Sequence, residues 1–442
     1  MKRMKYFYGL SMLFCITLSI HAQTAQEEIF ENINLVGANY YAYPTPSGKH
    51  TAPPKGYAPF YLSHYARHGS RFLINGEKDY NEPVRMLKAA EKADALTDTG
   101  KQILMITDSM ANMAKKRYGE LTPLGVRQHQ GIAERMYQDY PQIFRKKTDI
   151  DARSTVVIRC ILSMTSQCLQ LKELNPRLTF NYDASAHDMY YMNYSDDFFS
   201  QERIKNDKAT KELQRKFVHP ERLMETMFKD MNYVKEHIDS ESMMLALFDM
   251  ARNMQSHDTD LELFSYFTKQ ECYDLWKADN IRWYVRSAAT PLSEGKLPFV
   301  EANLLENILN TADTCLTKKE SSATLRFGHE SCLLPLACLM ELGDCGYQTT
   351  DLENLHRVWR AYKFFPMASN IQLVFYRHKK KSDILVKILL NEEEQTIPVK
   401  SDIAPFYRWK DVKEYYRAKL DSWIKELSVD EEMVASVGVR VF

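Results

Sequence analysis

Residues 59–72 read PFYLSHYARHGSRF, and the rest of the chain is best understood from this stretch. Its aromatic and apolar run predicts a buried strand, which stops at the charged turn Arg67-His68-Gly69-Ser70-Arg71. Gly69 allows a tight turn, and the i,i+4 spacing of the two arginines lets both guanidinium groups converge on one anion. Planar guanidinium groups match phosphate oxygens, so the turn predicts a phosphate site; a solvated basic turn is the alternative.

A second informative stretch, residues 323–346, reads ATLRFGHESCLLPLACLMELGDCG. Its pattern predicts a short strand over residues 325–327, a turn at Gly328 and a buried helix over residues 331–342. His329 and Glu330 then lie at the helix N-terminus, where free backbone N–H groups and the helix dipole favour an anion. This stretch is therefore a second candidate for anion chemistry.

A third candidate is Arg159, in the stretch TVVIRCILSMTSQCLQL of residues 155–171. The β-branched run at residues 155–158 predicts a strand that passes directly into a helix, with Arg159 at the junction. Open α/β sheets bind their ligands at such junctions, which favours a binding role for this arginine. The alternative is an arginine at the edge of the sheet with its charge in solvent.

The length and charge of the chain limit its class of function. The 442 residues can bury a large core and favour two domains, or one domain with a large insertion. Lys plus Arg and Asp plus Glu number 58 each, so the overall charge favours neither nucleic acid nor an anionic membrane as a partner. Any anion binding must therefore be local.

The pattern of helices and strands predicts the domain organisation. From about Tyr190 the sequence is polar and helical, and it contains no glycine between Gly131 and Gly295. We expect a doubly wound, mostly parallel α/β core in two parts, residues 23–189 and 321–442, with an α-helical domain at residues 190–320 inserted between them. Two apolar stretches, residues 370–378 and 383–399, predict a hairpin at the edge of the sheet.

The first 22 residues have the features of a secretory signal peptide. Basic residues precede an apolar run from Tyr6 to Ile20, and a cleavage site follows Ala22. The run is shorter than the roughly 20 residues of a membrane span, and we expect an exported, periplasmic or extracellular protein without an integral membrane segment after cleavage. An uncleaved anchor is the alternative.

The cysteines and histidines give no pattern of a metal site. Seven cysteines follow Cys15, so at least one thiol is free or pairs between chains. Cys160 and Cys168 are eight residues apart in a predicted helix, too far for a disulfide. His64 and His68 are the one His-x-x-x-His pair, and on a strand their rings would lie about 13 Å apart. We therefore expect no metal and no cofactor.

Several of these motifs together resemble the histidine acid phosphatases, the second branch of the histidine phosphatase superfamily. RHGSR at the end of the strand, LTPLG at residues 121–125 before an amphipathic helix, and FGHESCLLPL at residues 327–336 occur in the order this family shows them. The last motif is most similar to that of the multiple inositol polyphosphate phosphatases and phytases. This resemblance implies a fold with an α/β core and an inserted helical domain.

The resemblance also implies roles for individual residues. His68 would attack the phosphomonoester and become a phosphohistidine, and Glu330 would protonate the leaving alcohol. The residues that would hold the phosphoryl oxygens are Arg67, Arg71, Arg159 and His329. The sequence departs from the family at Leu73, where a proline is frequent, and at His-Glu-Ser, where related enzymes read His-Ala-Glu or His-Asp.

The implied function is a secreted phosphomonoesterase that acts through a phosphohistidine, with inositol polyphosphates such as phytate as substrates. A phosphorylated small molecule, and no nucleic acid, would be the partner. A broad-specificity acid phosphatase has the same core and is one alternative. A phosphate-binding protein that kept the arginines without catalysis is the other, because Ser331 stands where a glutamate is found in the inositol polyphosphate phosphatases.

Overall fold

The computed structural model describes residues 23–46, 48–318 and 320–429, without the side chains of residues 428 and 429. The predicted signal peptide lies outside these residues. The strands form one sheet in the order β3-β2-β4-β1-β5-β6-β7, and β8 pairs with β6. Their bounds are β1 Tyr57–Arg67, β2 Asp149–Ser154, β3 Thr179–Asp183, β4 Ser322–Gly328, β5 Asn370–His378, β6 Ile384–Leu390, β7 Glu393–Glu394 and β8 Phe406–Arg408.

Helices surround this sheet. The α-helices of the described ranges are α1 Ala25–Glu31, α2 Glu82–Lys92, α3 Asp98–Ala114, α4 Pro123–Asp139, α5 Pro141–Phe144, α6 Ile158–Leu174, α7 Met189–Met192, α8 Asp197–Arg215, α9 Glu221–Met227, α10 Met231–His237, α11 Ser240–Asn253, α12 Lys269–Ser287, α13 Ala302–Leu316, α14 Glu330–Leu339, α15 Ala361–Phe364 and α16 Trp409–Val429. α4 begins at Pro123, and the Thr122 side chain caps it by accepting a hydrogen bond from the Gly125 backbone N–H.

The two faces of the sheet bury different sets of helices. Side chains alternate along β1, so Tyr61 and Tyr65 pack into one hydrophobic cluster with residues of α12, α13 and α14. Leu62 and Ala66 pack into a second cluster with residues of α4, α5 and α6. Helices on both faces confirm the α/β fold class.

The sheet is mixed, and its parallel half positions the site. β3, β2, β4 and β1 are neighbours and parallel, whereas β5 to β8 add antiparallel pairs. In this register Arg67 of β1 lies opposite Gly328 of β4, and Ser154 of β2 lies opposite Phe327. Three parallel strands therefore end at the same level, and the residues that follow them come together.

Two sequence predictions of strands are wrong. The strand predicted at residues 155–158 is instead β2, Asp149–Ser154, whose alternating Ile150 and Ala152 face the core while Arg153 pairs with Asp151 and Asp183. Ile158 is 70% exposed, because its β-branched run lies in the loop and the first turn of α6 rather than in the sheet.

The second wrong prediction concerns the position of the C-terminal hairpin. β5 and β6 do form a hairpin, but β5 lies between β1 and β6, and β6 also pairs with β7 and β8. Their continuous apolar runs are typical of buried strands, whereas an edge strand usually carries charged or polar residues.

The described residues between β3 and β4 form helices and no strand, apart from an isolated bridge between Leu96 and Phe228. The earlier helices α2 and α3 pack against α11, so the helical part draws on segments before residue 190 as well. Its division into a separate domain stays a prediction. All seven cysteines within the described ranges are buried and free.

One buried carboxyl group stands out in the core beside α14. Glu301 is 1% exposed, and neither of its oxygens accepts a hydrogen bond of normal geometry within the described part of the chain, although the weak thiol donor of Cys332 faces it. Burial raises the pKa of Glu301 to about 8, with Cys332 and the charge of Arg203 acting against the shift.

This carboxyl predicts a pH-dependent stability. In the unfolded chain Glu301 ionises near its ordinary pKa of 4.5, but in the folded protein it keeps its proton to about pH 8. Folding therefore binds a proton between these values, so the free energy of unfolding falls as the pH rises through that window. Glu301→Gln should be more stable than the wild type at pH 8 by roughly 2–5 kcal/mol, and close to it at pH 4.5.

Urea denaturation at both pH values measures this difference. Glu306→Gln is a control in α13, the helix that Glu301 precedes, since the Glu306 side chain is 53% exposed and pairs with Arg417 at the surface, so that its removal should change stability by less than about 1 kcal/mol at either pH. If Glu301→Gln changes the free energy of unfolding equally at pH 4.5 and pH 8, the raised pKa of Glu301 in the folded protein is contradicted.

Candidate active site

The site lies where β1, β2 and β4 end. His68 follows β1, Thr155 follows β2 and His329 follows β4. Backbone hydrogen bonds continue the sheet by one residue, from the N–H of His68 to the Gly328 carbonyl (3.0 Å) and from the N–H of Thr155 to the Phe327 carbonyl (3.0 Å). The Ala368 N–H donates to the His68 carbonyl, also at 3.0 Å, from the other side. The reactive turn is therefore an extension of the sheet rather than a mobile loop.

Gly69 is required for a close approach between two backbones. A Cβ at Gly69 would lie 2.4 Å from the Gly125 carbonyl oxygen, and a Cβ at Gly125 would lie 2.4 Å from the Ser70 carbonyl oxygen. Thr122, the N-cap of α4, donates its hydroxyl to that same Ser70 carbonyl (3.1 Å). The first turn of α4 thus holds the RHGSR loop, which connects the LTPLG motif physically to the first motif.

Both arginines of the turn are buried and anchored through one nitrogen. Arg67 Nη1 donates to the carbonyls of Asn39 (2.6 Å) and Phe365 (2.9 Å), and Arg71 Nη1 donates to the Phe72 carbonyl (2.9 Å). Of their other donors, Arg67 Nη2 and Arg71 Nε have no hydrogen-bond partner among the described residues, and Arg67 Nε lies 3.2 Å from a Glu330 carboxylate oxygen without a hydrogen bond of good geometry. Buried donors without partners are costly, which indicates that a ligand completes them.

Arg159 joins this group from the first turn of α6. It is half-buried, its Nε also lacks a partner among the described residues, and burial together with the charge of Arg71 lowers the pKa of its guanidinium. A Cβ at Gly119 would lie 3.6 Å from its Nη1. The charges of Arg71 and Glu330 both act on its guanidinium, so Arg159 lies near the other two arginines.

His68 presents one specific nitrogen to that volume. Its Nδ1 lies 2.9 Å from the Gly69 carbonyl, which can only accept, so Nδ1 carries the proton and Nε2 carries the lone pair. Nε2 lies 3.4 Å from Glu330 Oε2. Burial holds the pKa of His68 well below its usual range, although the charge of Glu330, and the hydrogen bond that a protonated Nε2 would donate to it, act in the opposite direction.

Glu330 is the first residue of α14, and its carboxylate lies between the arginines. Its oxygens are 3.2 Å from Arg67 Nε and 3.7 Å from Arg71 Nη2. Burial disfavours the charged carboxylate, but the Arg67 guanidinium, the contact with His68 and the Arg71 guanidinium together hold the pKa of Glu330 well below its usual range. The free protein therefore carries this group as an anion.

His329 is the N-cap of α14 and faces His68, with 5.8 Å between the ring centroids. Thr155 Oγ1 lies 3.2 Å from its Nε2, and the thiol of Cys160 lies 3.7 Å from the same nitrogen. Burial lowers the pKa of His329 to about 4, with the charge of Glu330 acting against the shift. The imidazole is therefore neutral in mild acid and donates a hydrogen bond rather than a charge.

The arrangement favours an anion over a metal ion. Ligand-capable atoms of His68, His329 and Glu330 lie within 4.8 Å of one another, as in many metal sites. Two guanidinium groups contact the same carboxylate, however, and their charge opposes a cation at this position. All six predicted site residues thus lie close to one another, and their charge favours an anion; their catalytic and binding roles stay predictions.

Two other groups of polar residues are not part of this set of six. His187 is exposed in the short 3₁₀ helix Ala186–Asp188, and Asp188 lies 3.8 Å from Arg153. Lys379 to Lys381 form the exposed turn between β5 and β6.

Several supporting residues were missed from the sequence. Asn39 lies in the 3₁₀ segment Ile33–Tyr40, and its carbonyl fixes Arg67; nothing local distinguishes it. Asn253, the last residue of α11, donates from Nδ2 to the Arg71 carbonyl (3.0 Å) and so ties the helical part to the reactive turn. Thr155 begins the stretch of residues 155–171 that contains Arg159. A residue inside a strand would not be expected to contact His329, so the predicted strand at residues 155–158 gives no sign of this contact.

Comparisons with known proteins agree with this geometry. The sequence model of the histidine phosphatase superfamily (branch 2) matches residues 65–391. Among curated proteins no significant sequence match was found.

Solved structures with the same fold include a multiple inositol polyphosphate phosphatase of Bifidobacterium longum in complex with inositol hexasulfate. It is 17% identical with a TM-score of 0.72, over 86% of this chain and 96% of that chain. A phytase from D. castellii is 13% identical with a TM-score of 0.62, over 88% of this chain and 86% of that one. A Hafnia alvei phytase in complex with tartrate is 11% identical with a TM-score of 0.51, over 83% and 98% respectively. At these identities the likeness shows a shared fold.

The unpartnered donor of Arg159 predicts a measurable loss of anion affinity. Arg159→Ala should weaken binding of inorganic phosphate roughly 10- to 100-fold, because a charge-assisted hydrogen bond in a largely buried site is lost. Isothermal titration of the purified protein with phosphate measures this. Arg117→Ala is the matched control: Arg117 lies over the Phe72 ring, is 45% exposed and already pairs with Glu120, so phosphate affinity should change less than about threefold. Equal affinities of Arg159→Ala and wild type would remove Arg159 from the site.

Proposed function

The chain belongs to the histidine phosphatase superfamily (branch 2), and on that premise we propose that it is an exported phosphomonoesterase that acts through a phosphohistidine on inositol polyphosphates. Membership makes it a histidine-type acid phosphatase. The proposal concerns its intermediate, its substrate class and its location.

The observation that carries the proposal is the convergence of buried, unpartnered donors on one volume. Arg67 Nε, Arg71 Nη2 and His68 Nε2 face this volume around the Glu330 carboxylate. Arg67 Nη2 and Arg71 Nε have no hydrogen-bond partner among the described residues, and Arg159 lies nearby with an Nε that likewise lacks one. A phosphoryl group matches both features, since its oxygens accept from the guanidinium groups while its phosphorus accepts the lone pair.

The first chemical step follows from the tautomer of His68. Nε2 attacks the phosphorus, a P–N bond forms and the P–O bond to the leaving alcohol breaks. Charge on the phosphoryl oxygens is balanced by the three arginines and by a hydrogen bond from His329. The Nδ1–H continues to donate its hydrogen bond to the Gly69 carbonyl, and this hydrogen bond stabilises the positive charge that the imidazole gains.

Glu330 donates a proton in the first step and accepts one in the second. Its protonated carboxyl gives a proton to the leaving oxygen, which departs as an alcohol. The resulting carboxylate then takes a proton from water as the water oxygen attacks phosphorus. The P–N bond breaks, orthophosphate is released, His68 is again neutral, and Glu330 regains the proton that it carried in the substrate complex.

The structure supports Glu330, rather than its neighbour, as the donor. The sequence left this open, because Ser331 stands where related enzymes carry a glutamate. Glu330 lies 3.4 Å from the nucleophilic nitrogen, whereas Ser331 is exposed on the outer side of α14. A catalytic protein is therefore favoured over a binding protein that lacks an acid.

Inositol polyphosphates are proposed as substrates for two reasons. The B. longum enzyme of the same fold holds inositol hexasulfate. The guanidinium groups of Arg67 and Arg71, with Arg159 nearby, also give the site a positive charge that suits a highly charged anionic ligand. A phosphate-release screen over phytate, sugar phosphates and nucleotides tests this; similar rates on all three classes would indicate a broad-specificity phosphatase.

Export is proposed from the signal-peptide pattern of the first 22 residues. None of the helices in the described ranges has the length and apolar character needed to cross a bilayer. Cell fractionation with and without residues 2–22 tests the location.

Replacement of the nucleophile is the direct test of the intermediate. His68→Asn should abolish turnover, because an amide cannot form the P–N bond, while the circular dichroism spectrum stays that of the wild type. Acid quenching of the wild type with radiolabelled substrate should trap a phosphoenzyme that the variant lacks. His187→Asn is the control, since His187 is exposed in the 3₁₀ helix Ala186–Asp188 and is not one of the residues assigned to the chemistry. Substantial activity in His68→Asn would contradict the mechanism.

The proposed role of Glu330 predicts a dependence on the leaving group. Glu330→Gln should slow the hydrolysis of alkyl phosphates far more than that of p-nitrophenyl phosphate, because only a basic alkoxide needs protonation as it leaves. We expect on the order of a 100-fold difference between the two losses in kcat. Equal losses on both substrates would mean that Glu330 positions the phosphate and that the acid is another residue.

A further inference from the structure

The carboxylate of Glu330 occupies the volume that a phosphoryl group needs. It lies 3.2 Å from Arg67 Nε, 3.4 Å from His68 Nε2 and 3.7 Å from Arg71 Nη2. These are the same nitrogens that a bound phosphomonoester would contact in the proposed mechanism. The carboxylate and a phosphoryl group therefore cannot use these donors at the same time.

We propose that Glu330 is an internal competitor for the anion site: an entering phosphoryl or sulfate dianion displaces its carboxylate from the arginines, and the displaced carboxylate takes up one proton. This inference rests on the proposed function, because it explains how a group that is ionised in the free protein becomes the acid of the reaction. The proton donor is then formed only when an anion is bound.

The charges around Glu330 explain why anion binding should be coupled to proton uptake. In the free site three guanidinium groups surround one carboxylate, and Arg67 and Arg71 hold it in the charged form. After displacement those guanidinium groups pair with the dianion, so the carboxylate loses its partners and gains a doubly charged neighbour. Both changes favour its neutral form. The N-terminus of α14 favours the carboxylate in either state and so does not alter the difference.

Glu330 is the group in this cluster that is placed to move. Arg67 and Arg71 are buried to 1% exposure or less and fixed by backbone carbonyls, whereas the Glu330 side chain is 13% exposed. It also stands at the first position of its helix, where no preceding turn confines it. Its displacement therefore leaves the rest of the site in place.

Two other groups facing the same volume can accept a proton. His68 and His329 are both neutral in the free protein, and a bound dianion favours their charged forms as well. Arg159, the remaining charged group, is already protonated. An experiment must therefore distinguish a proton on the carboxylate from a proton on an imidazole.

Sulfate is a suitable probe because it stays a dianion near neutral pH and brings no proton. Isothermal titration of the mature protein with sulfate at pH 6.5, in buffers of different ionisation enthalpy, gives the affinity and the number of protons taken up. The wild type should take up about one proton per sulfate. Glu330→Gln should take up none and should bind sulfate roughly tenfold or more tightly, because its neutral amide does not compete for the arginines.

Three further variants complete the design. His68→Asn should keep the proton uptake of the wild type. Glu330→Ala removes the competing carboxylate in a second way and should also bind sulfate more tightly. Glu120→Gln removes a half-exposed carboxylate that pairs with Arg117 outside the anion site and should behave as the wild type.

Two results would overturn the inference: unchanged sulfate affinity in both Glu330 variants, or proton uptake that persists in Glu330→Gln. The proposed function fails independently, if the wild type hydrolyses no phosphomonoester. If the wild type hydrolyses phosphomonoesters but takes up no proton on binding sulfate, only this inference fails and the proposed function stands.

Discussion

The structure depends on the burial of two like charges side by side. Arg67 and Arg71 are at most 1% exposed, and burial lowers the pKa of Arg67 to about 10 even with Glu330 nearby. Such groups stay charged inside a protein only when dipoles and counter-charges replace water. The chain supplies them from distant segments: the carbonyls of Asn39 and Phe365 for Arg67, and the carboxylate of Glu330 for both arginines.

That requirement explains several features of the fold beyond the sheet. The 3₁₀ segment Ile33–Tyr40 packs against α11, α12 and α15, and places Asn39 behind Arg67. Asn253 of α11 holds the Arg71 carbonyl, and its Oδ1 lies 3.0 Å from His257 Nε2. The helical part of the protein therefore helps to hold the reactive turn in place, through the hydrogen bond from Asn253 to the Arg71 carbonyl.

Burial has a second consequence for the histidines. It lowers the pKa of His68 and His329, so both rings remain neutral in mild acid. A neutral His68 keeps the lone pair that nucleophilic attack requires, and the Gly69 carbonyl determines which nitrogen carries it. The same environment that makes the arginines costly to bury thus keeps the nucleophile in its reactive form under acidic conditions.

The sequence by itself determined the local elements and the chemistry they carry. β1 and its RHGSR turn, the cap at Thr122 and the helix start at Glu330 follow from patterns that a few neighbouring residues create, and the α/β class follows with them. Only the tertiary structure decided the bounds and the order of the strands. β2 lies at residues 149–154 instead of 155–158, and β5 lies between two other strands rather than at an edge. It also decided the partners of the arginines, since Asn39, Phe365 and Asn253 are recognisable only once the chain has folded. The physical reason is that capping, turns and periodicity act within a few residues, whereas strand order and the neutralisation of buried charge depend on contacts between residues hundreds of positions apart.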